Sequence, residues 1–383
     1  MDPETRTLLL ETLRRFVRDT LVPLEAQVDE QDEVPEAIVA QMRELGLFGL
    51  SIPEEYGGLG LSMSDEVAVA EEMGQTSPAF RSVFGTNVGI GSQGILMDGT
   101  TEQKSRWLPR IASGEVISSF CLTEPDVGSD AGAVQTRAVR DGDSYILTGT
   151  KRFITNAPRA GVLTVMARTG TPEDRAAGVS AFIVDARSPG ISLGRPDRKM
   201  GQRGTKTCDA IFDHVRVPAE NLIGGKEGQG FPTAMKVLDR GRLHIAALSC
   251  GIAARLIREA VAYAAERRQF GKPIAEHQLI QAMLADSRTE WLAARSMVRD
   301  TAARYDAGEA IATDAACCKL FATEMVGRVA DRTVQIFGGA GYIADYGIER
   351  FYRDVRLLRL YEGTSQIQQL IIARDMIRAA GSQ

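Results

Sequence analysis

Hydrophobic periodicity changes twice along this chain, and that change constrains the fold more than any other feature. Up to about residue 115, apolar residues recur at helical spacing, as Leu9, Leu13, Phe16 and Val17 do. Short β-rich runs follow to about residue 225, and long Ala- and Leu-rich stretches return after it. A chain of 383 residues is also long for a single core. We therefore predict an α+β fold with three domains: an N-terminal α-helical domain at 1–114, a small middle β-sheet or barrel domain at 115–225, and a C-terminal four-helix-bundle domain at 226–383.

Local signals mark the ends of individual elements. Ser64 is predicted to cap a helix, and Thr100 with Gln103 forms a capping-box pattern. The pair Asp141-Gly142 between two β-rich runs predicts a hairpin. Strands are predicted at 116–122, 144–150, 161–168, 179–184 and 209–217. Breaks near 271–273, near 308 and at 338–347 divide the last part into four or five long helices.

Composition narrows the classes of function. The net charge of −5 gives no global basic field for a nucleic acid. The five cysteines form no C-x-x-C pair and the three histidines are widely separated, so no metal site is predicted. No apolar run of 18 residues predicts a membrane span, and the start Met1-Asp2-Pro3 does not resemble a signal peptide. We expect a cytoplasmic protein or a processed matrix protein.

The segment Gly89 to Gly94 matches G-x-G-x-x-G, the fingerprint of dinucleotide-binding folds. That fingerprint needs a buried strand before it and a βαβ unit around it. This copy lies in the predicted helical part, with polar Thr86 and Asn87 just before it. We therefore predict no nicotinamide site there.

The segment from Phe120 to Asp130 is a β-rich run that ends in a turn dense with hydroxyls, glycine and backbone donors. Such a turn can offer N–H and O–H groups to a flavin ring or to a phosphate. An ordinary capped loop has a similar composition, so the segment alone leaves both interpretations open.

This segment resembles the signature of the acyl-CoA dehydrogenase family. Further stretches resemble the same family in the same order over essentially the whole chain, namely 151–156, the pattern Arg267-x-x-Phe270-Gly271, 335–339 and 361–368. The resemblance implies a FAD-dependent oxidoreductase with the helix, sheet and helix order of that family. Many members carry Trp where this chain has Phe153, which keeps an aromatic side chain for the flavin.

The resemblance also implies which residues contact FAD. In that family the cofactor lies across subunits, so one set would serve the chain's own FAD and another a neighbour's, in a homotetramer or homodimer. The first set is Phe120, Leu122, Thr123, Gly128, Ser129, Phe153, Ile154, Thr155, Thr364 and Gln366, and the second is Arg267, Phe270, Gln278, Gln335, Phe337, Gly338 and Gly339.

Glu362, in the run Tyr361-Glu362-Gly363-Thr364, would by itself be read as a surface turn residue. Its place in the family pattern identifies it instead with the catalytic base that removes the α-proton of an acyl-CoA thioester, while the β-hydrogen passes to FAD as hydride. A dry pocket would raise the pKa of such a carboxyl group. The resemblance places substrate contacts at Ser129, Asp239, Arg242 and Gly363, and implies electron transfer flavoprotein as the acceptor.

Arg81 resembles the arginine that binds the distal carboxylate in glutaryl-CoA dehydrogenases, so a dicarboxylic, possibly decarboxylating, substrate is an alternative. An ordinary surface arginine is the competing interpretation, and Ser365 departs from the His of the glutaryl group. Desulfinating relatives lack the base, and a nitroalkane oxidase relative would carry Asp. A FAD-free acyl-CoA binding protein is the alternative that is not an enzyme. Acyl chain length and branching stay open.

Overall fold

The computed structural model describes residues 1–381, and its first part is helical. The helical spacing of apolar residues explains why, because it lets Leu13, Phe16 and Val17 be buried together in one core. The helices of this part are α1 Pro3–Phe16, α2 Glu25–Gln31, α3 Glu36–Glu44, α4 Met63–Met73, α5 Pro78–Val88, α6 Gln93–Asp98 and α7 Thr101–Ala112.

Two predicted helix starts had different outcomes. The capping box at Thr100 is confirmed, because its side chain accepts from the Gln103 N–H and Gln103 bonds back to the Thr100 N–H. The predicted cap at Ser64 is wrong. Helix α4 begins after Ser62, whose hydroxyl accepts from the Asp65 N–H at 3.2 Å. Both serines stand close to the same acidic residues, so sequence spacing alone did not separate them.

A seven-stranded sheet follows. Its strands are β1 Ile117–Cys121, β2 Arg137–Asp141, β3 Ser144–Thr155, β4 Ala160–Arg168, β5 Val179–Asp185, β6 Ile191–Leu193 and β7 Thr207–Pro218. The order across the sheet is β1-β4-β2-β3-β7-β6, with β5 paired to β4. The predicted hairpin is present, but its turn is one residue later than predicted. Asp141 pairs with Ser144, which leaves Gly142 and Asp143 as the loop, and Gly142 takes the positive φ of 63°.

The last part is again helical, and its breaks fall where the sequence predicted them. Its elements are α8 Gly230–Glu266, β8 Arg268–Gln269, β9 Lys272–Pro273, α9 Gln278–Asp306, α10 Ala312–Phe337, α11 Gly339–Tyr342, α12 Ile348–Val355 and α13 Ser365–Gly381. Helices α8, α9 and α10 share one core, and Met63 and Val67 of α4 are buried in it. The first and last helical parts are therefore joined by packing as well as by the chain.

The G-x-G-x-x-G segment follows a helix rather than a strand, since α5 ends at Val88 and α6 begins at Gln93. Within residues 1–381, no helix is both long and apolar enough to cross a membrane. In the same residues no cluster of three His, Cys, Asp or Glu side chains is placed to hold a metal ion.

Candidate active site

Two cavities gather most of the residues predicted to bind ligands. The first has a volume of about 790 Å³ and lies between the sheet, α5, α8 and α13; we call it the Glu362 cavity. Predicted residues on its wall are Arg81, Phe120, Leu122, Thr123, Gly128, Ser129, Phe153, Ile154, Thr155, Arg242, Glu362 and Gly363. The second, of about 1200 Å³, lies between the ends of α8 and α10 and the start of α9; we call it the Arg267 cavity. Predicted residues on its wall are Arg267, Phe270, Gln278, Phe337, Gly338 and Gly339.

Strand pairing brings the two predicted flavin segments together at the Glu362 cavity. The Arg152 N–H donates to the carbonyl oxygen of Thr123 at 2.8 Å, which joins the end of β1 to β3. Ser119 donates from its hydroxyl to the carbonyl oxygen of Thr155 at 2.7 Å. Thr123 and Thr155 are consequently brought together on the wall of this cavity.

An irregularity in β3 aims Phe153 outward. Between Lys151 and Ile154 the pairing with β7 slips by one residue, and Phe153 takes a φ of 59°. Such bulges redirect a side chain at the cost of local pairing. The ring is 60% exposed although it is aromatic, and it lines the cavity. An exposed aromatic face of this kind suits a planar ring system stacked on it.

A buried ion pair fixes the loop between β1 and β2. The Lys151 ammonium group lies 2.7 Å from the Glu124 carboxylate, and both side chains are buried. Glu124 also accepts from the backbone N–H groups of Gln135 and Thr136. Burial alone would raise the pKa of Glu124, but Lys151 and these donors outweigh it and lower the pKa. The loop that carries Gly128 and Ser129 is thus anchored at both ends.

Glu362 lies in a strained turn just before α13. Its φ is 53°, and the φ of Gly363 is 89°. The carboxylate of Glu362 is directed at α8, where Gly241 leaves room for it: a Cβ at Gly241 would overlap Oε2 of Glu362. That oxygen is buried and has no hydrogen-bond partner among residues 1–381. The Glu362 backbone N–H likewise has no acceptor in the described chain.

Three cations surround this carboxyl group. Burial raises the pKa of Glu362 above its ordinary value, while Arg81, Lys319 and Arg242 offset part of that rise. Arg81 makes no hydrogen bond or ion pair within residues 1–381, although it lines the cavity. A carboxyl group whose pKa is raised by burial inside a cavity is a candidate for a general base.

The helix face behind Glu362 is held by ion pairs. Arg242 lies 2.5 Å from Asp239, one turn earlier on α8. Glu66 of α4 is buried and contacts both Arg240, at 2.6 Å, and His244, at 2.8 Å. Two neighbouring turns of α8 are therefore fixed to α4, and Gly241 lies between them.

The Arg267 cavity is open and has exposed apolar side chains on its wall. Phe270 is 94% exposed and Leu279 is 81% exposed. The Arg267 side chain makes no hydrogen bond or ion pair within residues 1–381. Added Cβ atoms at Gly338 and Gly339 would meet nothing within 4 Å, so a ligand can approach the backbone there.

Four predicted residues line neither cavity. Asp239 pairs with Arg242 as described, and Thr364 accepts from the Ile367 N–H at 3.3 Å at the start of α13. Gln335 and Gln366 are exposed. The structure gives Asp239 and Thr364 supporting contacts and leaves the roles of all four as predictions.

Sequence reasoning missed Gly241 and Lys319. A glycine inside a long helix is unfavourable by about 1 kcal/mol and is a signal of close packing that could have been noticed. Lys319 follows two cysteines on an apolar helix face, where a charged residue is out of place. Gly89 and Ile90, from the rejected dinucleotide pattern, also line the Glu362 cavity.

Family models match three successive parts of this chain. They are the acyl-CoA dehydrogenase N-terminal domain at residues 3–115, the middle domain at 119–215 and the C-terminal domain at 228–377. Together they span most of the chain in the order that the sequence predicted.

Individual proteins match over nearly their whole length. Acryloyl-CoA reductase (NADH) of Anaerotignum propionicum is 42% identical over 97% of this chain and 94% of its own. Human mitochondrial short-chain specific acyl-CoA dehydrogenase is 40% identical over 98% of this chain and 91% of its own. The solved structure of butyryl-CoA dehydrogenase from Megasphaera elsdenii has a TM-score of 0.94 at 33% identity, covering 98% of this chain and 100% of that one.

The fold and these matches define an oxidoreductase that uses FAD. The chain belongs to the acyl-CoA dehydrogenase family. The resemblance, the fold class, the enzyme class and the cofactor predicted from the sequence are thereby confirmed. The residues present suit FAD, because the Glu362 cavity offers an exposed aromatic ring at Phe153 and hydroxyl groups at Thr123, Ser129 and Thr155.

Proposed function

We propose that this protein removes two hydrogens from the α and β carbons of an acyl-CoA thioester, with Glu362 as the base. The observation that carries the proposal is the Oε2 atom of Glu362, buried and without a partner in residues 1–381, on the wall that also holds the flavin segments. A base needs an unoccupied oxygen in reach of the proton that it removes.

The surroundings of Glu362 supply the other requirements. Its raised pKa makes the carboxylate a stronger proton acceptor than an ordinary Glu. Its free backbone N–H would donate to the thioester oxygen and stabilise charge that develops when the α-proton leaves. FAD, when bound, accepts the β-hydrogen as hydride. Phe153, Thr123 and Thr155 would fix the orientation of the flavin ring.

We also propose a homo-oligomer, a tetramer or a dimer, in which the Arg267 cavity serves FAD bound by another copy. Gly241 and Arg267 are 26 residues apart along α8, which at 1.5 Å per residue is about 39 Å. An extended FAD molecule is shorter than that distance. The apolar, exposed Phe270 and Leu279 support a partner at this surface. The three parts 1–114, 115–225 and 226–383 are proposed as its domains, which the three family matches support.

Short acyl chains are the proposed substrates, since butyryl-CoA and short-chain specific dehydrogenases are among the similar proteins. Electron transfer flavoprotein is the proposed acceptor, on the family resemblance. One similar protein is a reductase that uses NADH, so reduction of an enoyl-CoA should be measured as well as oxidation of an acyl-CoA.

A second candidate is a dicarboxylic acyl-CoA, possibly with decarboxylation. The observation that favours it is the Arg81 guanidinium group, which lines the Glu362 cavity and faces Glu362 but makes no hydrogen bond or ion pair in residues 1–381. A cation in such a place is better satisfied by a carboxylate on the ligand than by solvent alone.

The test is anaerobic flavin bleaching with a panel of straight, branched and dicarboxylic acyl-CoAs, using wild type and Arg81→Ala. Arg106→Ala, which alters an exposed arginine on α7, is the matched control. Bleaching by short monocarboxylic thioesters in all three proteins supports the main proposal. Selective loss of the dicarboxylic response in Arg81→Ala supports the second. Absence of bleaching by every acyl-CoA in the FAD-loaded protein would contradict both proposals.

A further inference from the structure

Lys319 is a buried cation directly beneath the turn that carries the proposed base. Lys319, on α10, is 0% exposed. Its ammonium group donates to the carbonyl oxygen of Gly363 at 2.7 Å. It makes no ion pair with a carboxylate among residues 1–381. Burying a charge without a paired anion is costly, so its position calls for an explanation.

The turn above Lys319 is strained and is held by few donors. Glu362 and Gly363 both have positive φ, which a glutamate rarely adopts. The Gln368 amide donates to the carbonyl oxygens of Glu362, at 3.1 Å, and Gly363, at 3.0 Å. Lys319 and Gln368 thus converge on two adjacent carbonyl groups, and Lys319 alone brings charge.

We propose that Lys319 is a positioning residue for Glu362, fixing the turn through the Gly363 carbonyl and favouring the ionised carboxylate through its charge. This inference rests on the proposed function of Glu362. Helix α10 then contributes to the site although Lys319 does not line the cavity.

The charges around both groups agree with this role. Glu362 is faced by Arg81 from α5, Arg242 from α8 and Lys319 from α10. Lys319 is faced by Glu362, by Arg242 and by Glu324 of its own helix. Burial lowers the pKa of Lys319 to about 8, with Glu362 as the leading charge that opposes the fall. Lys319 therefore remains mostly protonated at neutral pH, where its charge favours the Glu362 carboxylate.

The direction of the effect follows from these charges. Removing Lys319 removes a cation that holds the pKa of Glu362 down, so that pKa rises further. Because the base must be ionised, the acid limb of the kcat profile moves to higher pH. A turn that has lost one of its two anchors also misplaces the base, for which a loss of roughly 10- to 100-fold in kcat is reasonable.

The test compares Lys319→Met and Lys319→Gln with wild type, and Thr323→Val is the matched control. Thr323 is buried one turn further along α10 and bonds to the Lys319 carbonyl oxygen, so the control disturbs the same helix without touching the turn. FAD content and KM are expected to stay near wild type in all three. Lys319→Met should lower kcat and move the acid limb upward. Lys319→Gln keeps an amide donor, so it should show the same shift in the limb with a smaller loss of kcat.

A readout independent of turnover separates this inference from the proposed function. The infrared band of the protonated Glu362 carboxyl, identified by its loss in Glu362→Gln, is titrated in wild type and in both Lys319 variants. A higher midpoint in the variants supports the role of Lys319, even if no acyl-CoA reduces the flavin and the proposed function fails. An unchanged midpoint with kcat no lower than in Thr323→Val overturns it. If Lys319→Met does not fold, the midpoint in Lys319→Gln decides.

Discussion

The Glu362 cavity and the Arg267 cavity lie along the same helix but differ in how they are closed. The first is enclosed by the sheet, α5, α8 and α13 of one chain. The second is bordered by helix ends and a two-strand hairpin, and its aromatic Phe270 is almost fully exposed. Each has an arginine that makes no side-chain hydrogen bond or ion pair in residues 1–381, Arg81 in the first and Arg267 in the second.

The two cavities differ in the function that their residues suit, catalysis in the first and cofactor binding in the second. The enclosed cavity has the groups that chemistry needs: an unpaired carboxylate oxygen, a free N–H and three cations around them. The open cavity has groups that bind, namely a free arginine, exposed apolar rings and accessible glycine backbone. Changes in the first should therefore affect the rate of reaction, and changes in the second should affect retention of the cofactor.

The largest effect is expected from Glu362→Gln. The amide keeps the shape of the side chain but cannot accept the α-proton, so kcat should fall by roughly 10³- to 10⁴-fold. FAD content should not change. Stopped-flow flavin bleaching and the absorbance of the purified protein measure the two quantities. Normal bleaching in this variant would remove Glu362 from its proposed role.

Gly241→Ala should follow, with a loss of about 100-fold in kcat. A methyl group there would overlap Oε2 of Glu362, and the flexible carboxylate is the group that can move away. Gly327→Ala on α10 is the control, because its added Cβ would come no closer than 3.4 Å to Arg359. Equal rates in the two variants would show that the position of the carboxylate against α8 is unimportant.

Arg267→Ala tests the open cavity. Loss of one hydrogen-bonding cation should weaken FAD binding by about 1.5 to 3 kcal/mol, with little change in kcat once FAD is in excess. Arg268→Ala, at the neighbouring exposed arginine that bonds to Gly271, is the control. FAD dissociation constants from fluorescence measure the effect. If kcat at saturating FAD falls instead, the division between the two cavities is wrong.

The smallest effect concerns Asp354, a buried carboxyl group on α12 that lines neither cavity. It is 1% exposed, accepts from the Gln202 N–H, and burial raises its pKa to about 7. Between about pH 4 and 7 the folded chain keeps a proton that the unfolded chain has lost, so the free energy of unfolding falls as pH rises.

Asp354→Asn removes that proton exchange. Relative to the variant, wild type should lose up to about 1.4 kcal/mol of unfolding free energy from pH 5.5 to 6.5. Urea unfolding at both pH values measures it. Parallel pH dependence in the two proteins would mean that Asp354 ionises normally in the folded state.

Hydrophobic periodicity and helix-breaking residues were sufficient to predict the order of helices and strands. Periodicity indicates which face of a segment is buried, and the breaking residues indicate where a segment ends. They located the breaks around β8–β9 and at Gly308 correctly. They did not separate Ser62 from Ser64, or place the hairpin turn to the residue. Those choices depend on strand register and on contacts with distant segments, such as the hydrogen bond that the Met63 N–H donates to the Asp306 carboxylate.

Some site residues could also be predicted from the sequence and others could not. The predicted residues on the walls of both cavities were found through short stretches that resemble the family. Gly241 and Lys319 were not found in this way, because each contacts a residue far away along the chain. Gly241 packs against Glu362, 121 positions later, and Lys319 bonds to Gly363, 44 positions later. Only packing of α8 and α10 against the turn before α13 brings these residues together.

The length of α8 has a consequence for how this protein behaves on dilution. If the two ends of that helix serve different FAD molecules, cofactor binding and assembly form a single equilibrium, and each stabilises the other by mass action. Activity would then fall faster than the protein concentration as the solution is diluted. Added FAD would restore it by shifting chains back into the assembled form.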